Sequence, residues 1–302
     1  MTDPPAVVKL QQIEALDVAE GDIRFTRRRL GAAAGCVRIG CSHFVVPAGA
    51  RQMPVHVHGN EEEIFHVLRG GGLSWQRSGV CRVGPGDTVV HRPSQEPHTF
   101  LAGDGGLELL AFGSGSDTRI TYLPRAKVMW CGPRWVPVDS VHPFKAEALA
   151  GPLEPGEPGE RPANVVAADD VDTGPFPGVE VRALGRAGGA AQAGLNRVTL
   201  PAGASGAPPH CHALEEELFI VLAGSGMLRL GESSHPLVPG DIVGRPPSTG
   251  VAHSLSAGDQ GLTYLVYGTR EPGDSVYYPE TGKVRLRGLG VTIDAAPTSA
   301  GP

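Results

Sequence analysis

The chain has 302 residues, 40% of them hydrophobic and 19% charged, with a formal net charge of −6. That length suits about two domains, and the negative balance argues against a nucleic-acid-binding surface. No apolar run approaches the roughly 18 residues a membrane helix needs, and the opening segment lacks a basic stretch followed by an apolar core, so a cytoplasmic protein without a secretory leader is expected.

In chain order, VVKLQQIEAL (7–16) is the first window with helical spacing, and HPFKAEALA (142–150) is the other. The basic run Arg27-Arg28-Arg29 reads as a solvated edge or turn. Between Gly and Pro turns lie short apolar stretches: IFHVL, GDTVVH and LELLAF, then LFIVL, GDIVG and LTYLVY. Many short strands at regular spacing predict an all-β sandwich or barrel. The Pro-, Glu-, Gly- and Ala-rich stretch 146–165 reads as a linker between domains 1–145 and 166–302, and AAPTSAGP (295–302) as a frayed tail. The five cysteines, Cys36, Cys41, Cys81, Cys131 and Cys211, are odd in number and lack zinc-finger spacing, which suits reduced thiols.

The two domains repeat one pattern. His56, His58 and Glu63 lie between Gly49 and Gly70; His210, His212 and Glu217 lie between Gly203 and Gly224, every position displaced by 154. VVPAGA (45–50) matches TLPAGA (199–204), a Pro-Gly-Asp follows at 85–87 and 239–241, and a further histidine comes at His98 and His253. Successive strand side chains point to opposite faces, so His56 and His58 share a face, as do His210 and His212. A turn over 58–61 would return the chain antiparallel and set Glu63 opposite the pair, with Phe65 and Val67 (Phe219 and Val221) as an apolar lining. Three imidazoles and a carboxylate suit a divalent transition metal, Mn, Fe, Ni, Co, Cu or Zn. On an octahedral ion they leave two cis positions for water, dioxygen or a bidentate substrate. Glu62 and Glu216 are alternative carboxylates, although the phase of the glycine favours the last of each trio.

The copies differ beside these residues. His91 faces Arg245 in the alignment, and both are candidate catalytic or substrate-contacting groups; Phe100 faces Leu255, both expected to line a pocket. Arg92 and Arg245 are the basic residues near enough to meet a phosphate. His66, whose twin is Ile220, and His43 are expected on outer faces.

The run G-x6-H-x-H-x4-E-x6-G, then P-G-D, then the later histidine, resembles the two motifs of the cupin superfamily. Its presence in both halves makes the chain resemble a bicupin. The resemblance implies two double-stranded β-helix (jelly-roll) barrels with few short helices, each holding about one metal near its mouth. By position the ligands are His56, His58, Glu63 and His98, then His210, His212, Glu217 and His253. Two departures stand out: Gln95 replaces the glycine that Gly250 supplies in the second copy, and the usual asparagine closing the second motif is missing from both. The implied function is a dioxygenase-type oxidoreductase acting on a small chelating substrate (a phenol, enediol or keto acid). A non-redox decarboxylase or isomerase, or a non-catalytic small-ligand binder, is the alternative. No nucleic-acid or membrane partner is expected, and exposed strand edges allow a homodimer.

Overall fold

The computed structural model describes residues 7–113, 119–131, 134–136 and 142–295. It begins with β1 (Val8–Lys9), β2 (Ala15–Glu20), β3 (Ile23–Arg29), a single turn α1 (Leu30–Ala33), β4 (Gly40–Val46), β5 (Val57–His58), β6 (Glu63–Gln76), β7 (Gly79–Val83), β8 (Asp87–His91) and β9 (His98–Gly113). The shorter β10 (Ile120–Leu123), β11 (Val128–Cys131) and β12 (Arg134–Val136) lead to helix α2 (Pro143–Leu149). The second half repeats the plan: β13 (Val165–Ala167), β14 (Glu180–Arg182), α3 (Leu184–Ala187), β15 (Ala193–Leu200), β16 (Cys211–His212), β17 (Glu217–Leu230), β18 (Ser233–Leu237), β19 (Asp241–Arg245), β20 (His253–Thr269), β21 (Ser275–Tyr278), β22 (Lys283–Leu286) and β23 (Val291–Asp294).

Each half packs a large sheet against a small one. In the first, the large sheet runs β13-β8-β6-β9-β4-β3-β2 with β7 on β6, and the small one β12-β11-β10-β5. In the second, the orders are β1-β19-β17-β20-β15-β14 with β18 on β17, and β16-β21-β22-β23. The inward positions of the first barrel build a core around Phe25, Phe44, Phe65, Phe100 and Leu109; those of the second, around Leu200, Phe219, Leu255 and Tyr264. A third cluster joins the barrels through Leu30, Ile64, Phe112, Leu184, Ile220 and Tyr267. There the twins Phe112 and Tyr267 stack on each other, ring centroids 5.0 Å apart, as a local two-fold axis between copies would require.

The glycine closing each first motif has a steric reason. Gly70 and Gly224 sit at bulges with φ of 71° and 79°, a region open to glycine at no steric cost. A Cβ there would also meet the carbonyl oxygens of Gly106 and Gly261 at 2.2 and 2.1 Å.

The halves exchange structure. β1 pairs with β19 of the second barrel, Val8 opposite Ile242, while β13 pairs with β8 of the first, Val165 opposite Val89. Both Pro-Gly-Asp aspartates cap their own turn, Asp87 accepting from Gly84 N and Asp241 from Val238 N. Each then meets a cation near the visiting strand: Arg161 binds Asp87 at 2.7 Å and Lys9 binds Asp241 at 2.6 Å. Glu62 and Glu216 make the same trade. Glu216 accepts the backbone N–H groups of Val37, Arg38 and Ile39 at 2.9, 2.8 and 2.6 Å; Glu62 accepts those of Ala191, Gln192 and Ala193 at 2.8, 3.3 and 3.2 Å.

Four expectations need correction. Residues 7–16 form no α-helix but β1, a 3-10 turn at Leu10–Gln12 and the start of β2; the edge of β19 gives β-branched Val8 a partner that helical periodicity ignores. The expected hairpin from His58 to Glu63 is absent, because β5 pairs with β10; the chain crosses between sheets, so the motif's histidines and glutamate face each other across the barrel. Arg27-Arg28-Arg29 ends β3 instead of forming a turn: Arg27 and Arg28 pair with both β2 and β4 and are half-buried, while Arg29 pairs with β4 alone and is exposed, as a solvated edge would be. Glu62 and Glu216 are held by the opposite half, which removes them as alternative ligands. The helix expected at 142–150 is present as α2, with proline in its first turn and the His142 side chain accepting from Phe144 N. Residues 296–302 of the expected tail lie outside the described residues. All five cysteines are free, and no helix among the described residues is long and apolar enough to cross a membrane.

Candidate metal centres and the first-barrel cavity

In the first barrel, β5 and the residue before it supply His58 and His56, the start of β6 supplies Glu63, and the start of β9 supplies His98. The Nε2 atoms of His56, His58 and His98 lie 3.2, 3.1 and 3.0 Å from a single oxygen, Glu63 Oε2. In the second barrel, His210, His212 and His253 lie 3.8, 3.4 and 2.9 Å from Glu217 Oε2. All eight residues expected from the repeat are therefore gathered, four and four.

The tautomers decide what these clusters hold. His56 Nδ1 is 2.8 Å from the Pro54 carbonyl, His98 Nδ1 3.2 Å from that of Glu96, and His210 Nδ1 2.7 Å from that of Pro208. A carbonyl only accepts, so each neutral ring carries its proton on Nδ1 and presents a lone pair at Nε2. Those lone pairs converge on a carboxylate oxygen, itself an acceptor, and His58 Nε2 is buried without a hydrogen-bond donor or acceptor in proper alignment. Acceptors packed head to head repel unless a cation lies between them, so the donor set fits a divalent transition metal in each barrel.

Within the clusters the charges shift the groups unevenly. Burial alone would raise the Glu63 carboxyl, but the three facing imidazoles hold it well below the usual range. Burial takes His98 down to about 4. His58 is raised, since Glu63 and Glu61 outweigh its burial. His212 rises to about 9: burial opposes, while Glu217 and the buried Asp274, 2.7 Å from its Nδ1, prevail.

That last contact marks a difference between the copies. His58 Nδ1 meets Thr121 Oγ1 at 2.9 Å, with Glu61 Oε2 at 3.6 Å; its twin His212 meets a carboxylate. His91 stacks flat on His98, centroids 3.6 Å apart and 3° between planes, with a buried, unpartnered Nε2. Its twin Arg245 donates to the Val251 carbonyl and Thr249 hydroxyl of its own loop. Phe100 lies fully buried beneath Phe65, 4.8 Å between centroids, and Phe219 sits edge-on to His253 at 5.5 Å; Leu255 is buried below it. His66 is on the outer face as expected, buried against Thr88 Oγ1 at 2.9 Å, and His43 likewise, bonded to Glu108.

Above the first cluster opens a cavity of about 690 Å³, lined by His56, His58, Glu63 and Phe65 from the site and by Phe25, Arg27, Arg29, Gln52, Glu61, Arg119 and Trp130 around it. Sequence reasoning missed Glu61, Asp274, Gln52 and the inward course of Arg27 and Arg29. For Gln52 the signal existed: its partner at the 154-residue offset is Gly206, a mismatch inside the best-matched stretch. In the second barrel a Cβ at Gly206 would stand 3.1 Å from the Tyr264 hydroxyl, so a tyrosine fills the space that Gln52 takes in the first.

The cupin domain model matches the chain twice, over residues 42–113 and 196–267. With the duplicated barrels, this makes the protein a bicupin of the cupin superfamily. No curated protein matches it by sequence. Among solved structures it resembles the oxalate decarboxylase of Lactobacillus farciminis in complex with formate, at 16% identity and a TM-score of 0.62, over 89% of this chain and 87% of that one. It likewise resembles the Bacillus subtilis oxalate decarboxylase OxdC, a deletion mutant at 16% identity and TM-score 0.60 over 88% and 77%, and the B. subtilis enzyme described for its Mn(II) centres at 16% and 0.61 over 91% and 80%. At that identity the likeness speaks for the fold.

Proposed function

We propose that each barrel, in domains 1–145 and 166–302 joined by 146–165, binds one divalent transition metal through the four ligands named above. We further propose that the first barrel is a metal-dependent, non-redox decarboxylase or isomerase of a small chelating acid. The observation that carries this reading is a buried carboxyl placed where a proton is needed. Glu61 lines the cavity beside the ligand His58, nearly inaccessible to solvent. Burial raises its pKa, outweighing His58 and Arg119, whose Nε is 3.2 Å from Glu61 Oε2. A carboxyl beside His58 and facing the cavity stands where it can pass a proton to a substrate held there.

A divalent ion held by these donors would supply Lewis-acid polarisation of the substrate's chelated oxygens. The chain's residues do the rest. Thr121 fixes the ring of His58, and the Pro54 and Glu96 carbonyls fix His56 and His98. Phe65, backed by Phe100, makes the wall beside the site apolar, which favours loss of charge as carbon dioxide leaves. In decarboxylation the electron pair of the broken C–C bond stays on the remaining carbon, which takes the proton from Glu61; Glu61 then recovers one from water.

The test is metal-loaded protein assayed with a panel of α-oxo and α-hydroxy acids for carbon dioxide release and oxygen uptake. Carbon dioxide without oxygen uptake supports the reading, and Glu61→Gln should slow release by about 10²-fold or more while both ions stay bound. Stoichiometric oxygen consumption would replace it with the dioxygenase; neither product, with ligand still bound, would leave a binding protein.

A further inference from the structure

β3 carries two guanidinium groups at the first-barrel cavity, Arg27 half-buried in its wall and Arg29 exposed at its mouth. Along it Ile23 and Phe25 point into the core, and by strand alternation Arg27 and Arg29 follow on the same face, where both line the cavity. Neither makes an ion pair or hydrogen bond among the described residues, and Arg27 Nε is buried without a partner. The cavity's acids lie nearer other groups, Glu61 beside Arg119 and Glu63 facing the three histidines. Two like charges two residues apart repel, and burial together with Arg29 lowers the Arg27 pKa. A third group faces the same space: Gln52 is 1% exposed and its amide oxygen has no partner. The second barrel keeps none of the three. Register matches Arg27, opposite Phe44, with Val181, opposite Val198, and places Ala183 where Arg29 stands and Gly206 for Gln52.

Resting on the metal site proposed above, we propose that Arg27 and Arg29 form a carboxylate-binding subsite, and that the first barrel takes an aromatic acid with a chelating oxygen pair at one end and a carboxylate at the other. Spacing sets its length. Arg29 is in register with Ser42, Ser42 with Ala111 and Ala111 with Phe65, the next inward residue after Glu63. Three strand steps of roughly 4.8 Å give about 14 Å along the sheet, and on the order of 10 Å straight across a curved one. The cavity, about 690 Å³, falls within the roughly 300–1,000 Å³ of pockets that hold ring-containing ligands and far exceeds the needs of a two-carbon acid. Phe25, Phe44, Phe65 and Trp130 wall the space between the two ends, a surface suited to a flat ring.

Calorimetric titration of the full chain with 3,4-dihydroxycinnamate, its methyl ester and plain cinnamate tests this. With metal loaded, the acid should bind at least about tenfold tighter than the ester, the margin of a charge-assisted guanidinium contact. Arg27→Gln should bring that ratio near one with both ions retained; Arg27→Lys should keep part of it, and outward-facing Arg24→Gln all of it. Acid and ester binding alike in the wild type, or a ratio that survives Arg27→Gln combined with Arg29→Gln, overturns the subsite. Cinnamate has no chelating head and separates the two proposals. If only the metal reading fails, cinnamate still binds and loses affinity on Arg27→Gln. If only the subsite fails, cinnamate ignores Arg27 while dihydroxycinnamate still binds in a metal-dependent way.

Discussion

Replacing Glu216 by alanine separates a structural carboxylate from a metal ligand. In the wild type its oxygens take three backbone N–H groups from the opposite half, at 2.9, 2.8 and 2.6 Å. Hydrogen bonds to a charged group contribute about 1.5–3 kcal/mol each, so the gross loss is roughly 4.5–9 kcal/mol. Solvent reduces it. Val37 is 75% exposed and Arg38 half exposed, so water can replace the carboxylate at both amides, whereas Ile39 is 3% exposed and stays unsatisfied. Removing the carboxylate also ends the cost of burying it. The balance is about 3–4 kcal/mol, a fall of about 1 M in the urea midpoint for a chain of this size. Hydrogen exchange should quicken at residues 37–39, with two metal ions still bound per chain. An unchanged midpoint with metal falling to one ion would refute the reasoning and restore Glu216 as a ligand. Glu62→Ala should cost less, since two of its three bonds exceed 3.1 Å.

His210→Ala with His212→Ala should release one ion and leave the first barrel's ion in place, read by elemental analysis; loss of both would mean the sites are coupled. Glu63→Gln should abolish metal binding in the first barrel without accelerating exchange at Ala191–Ala193, the amides that Glu62 holds. Burial takes His66 down to about 4 from an ordinary 6.5, so between those values the unfolded chain binds the proton and the folded one does not. Stability therefore rises with pH through this window and is lost on acidification, by about 2 kcal/mol from pH 7 to pH 5 for this one ring. Substituting the second barrel's own pair, His66→Ile with Thr88→Ile, should shrink the acid-induced drop in urea midpoint by that amount. An equal drop in both proteins would show that His66 does not carry it.

The eight clustered residues were legible because metal binding fixes residue type and spacing together, and the duplication supplied an internal control, at an offset of 154 for the first three pairs and 155 for the last. Their facing geometry was read correctly from alternation, but the strand partner of β5 was not, since two residues carry no periodicity that could name a neighbour. The same applies to β1 and β13, whose pairing is set by the other half. Glu62 and Glu216 looked like spare ligands because three adjacent glutamates differ only in what lies opposite them, and that is a tertiary fact. Arg27 was misplaced for a related reason. A basic run suggests solvent until the alternation of Ile23 and Phe25 is carried two residues further along the strand. Asp274 was hidden by a one-residue length change: position 274 answers Arg119 at an offset of 155, so a strict 154-residue repeat aligns it with the wrong residue.

The exchanged strands bear on how such a protein can change over time. A half cut away from its twin would expose the bare edge of β8 or β19, strand a turn aspartate without its cation, and leave Glu62 or Glu216 without the three backbone amides it holds. The duplication has thereby become a ratchet. Neither copy can be discarded once each completes the other's sheet, so the second barrel must persist whatever becomes of its chemistry. Its interior, where Tyr264 stands in the place of Gln52's side chain, is free to diverge from that of the first barrel while its outer faces stay bound to the shared architecture.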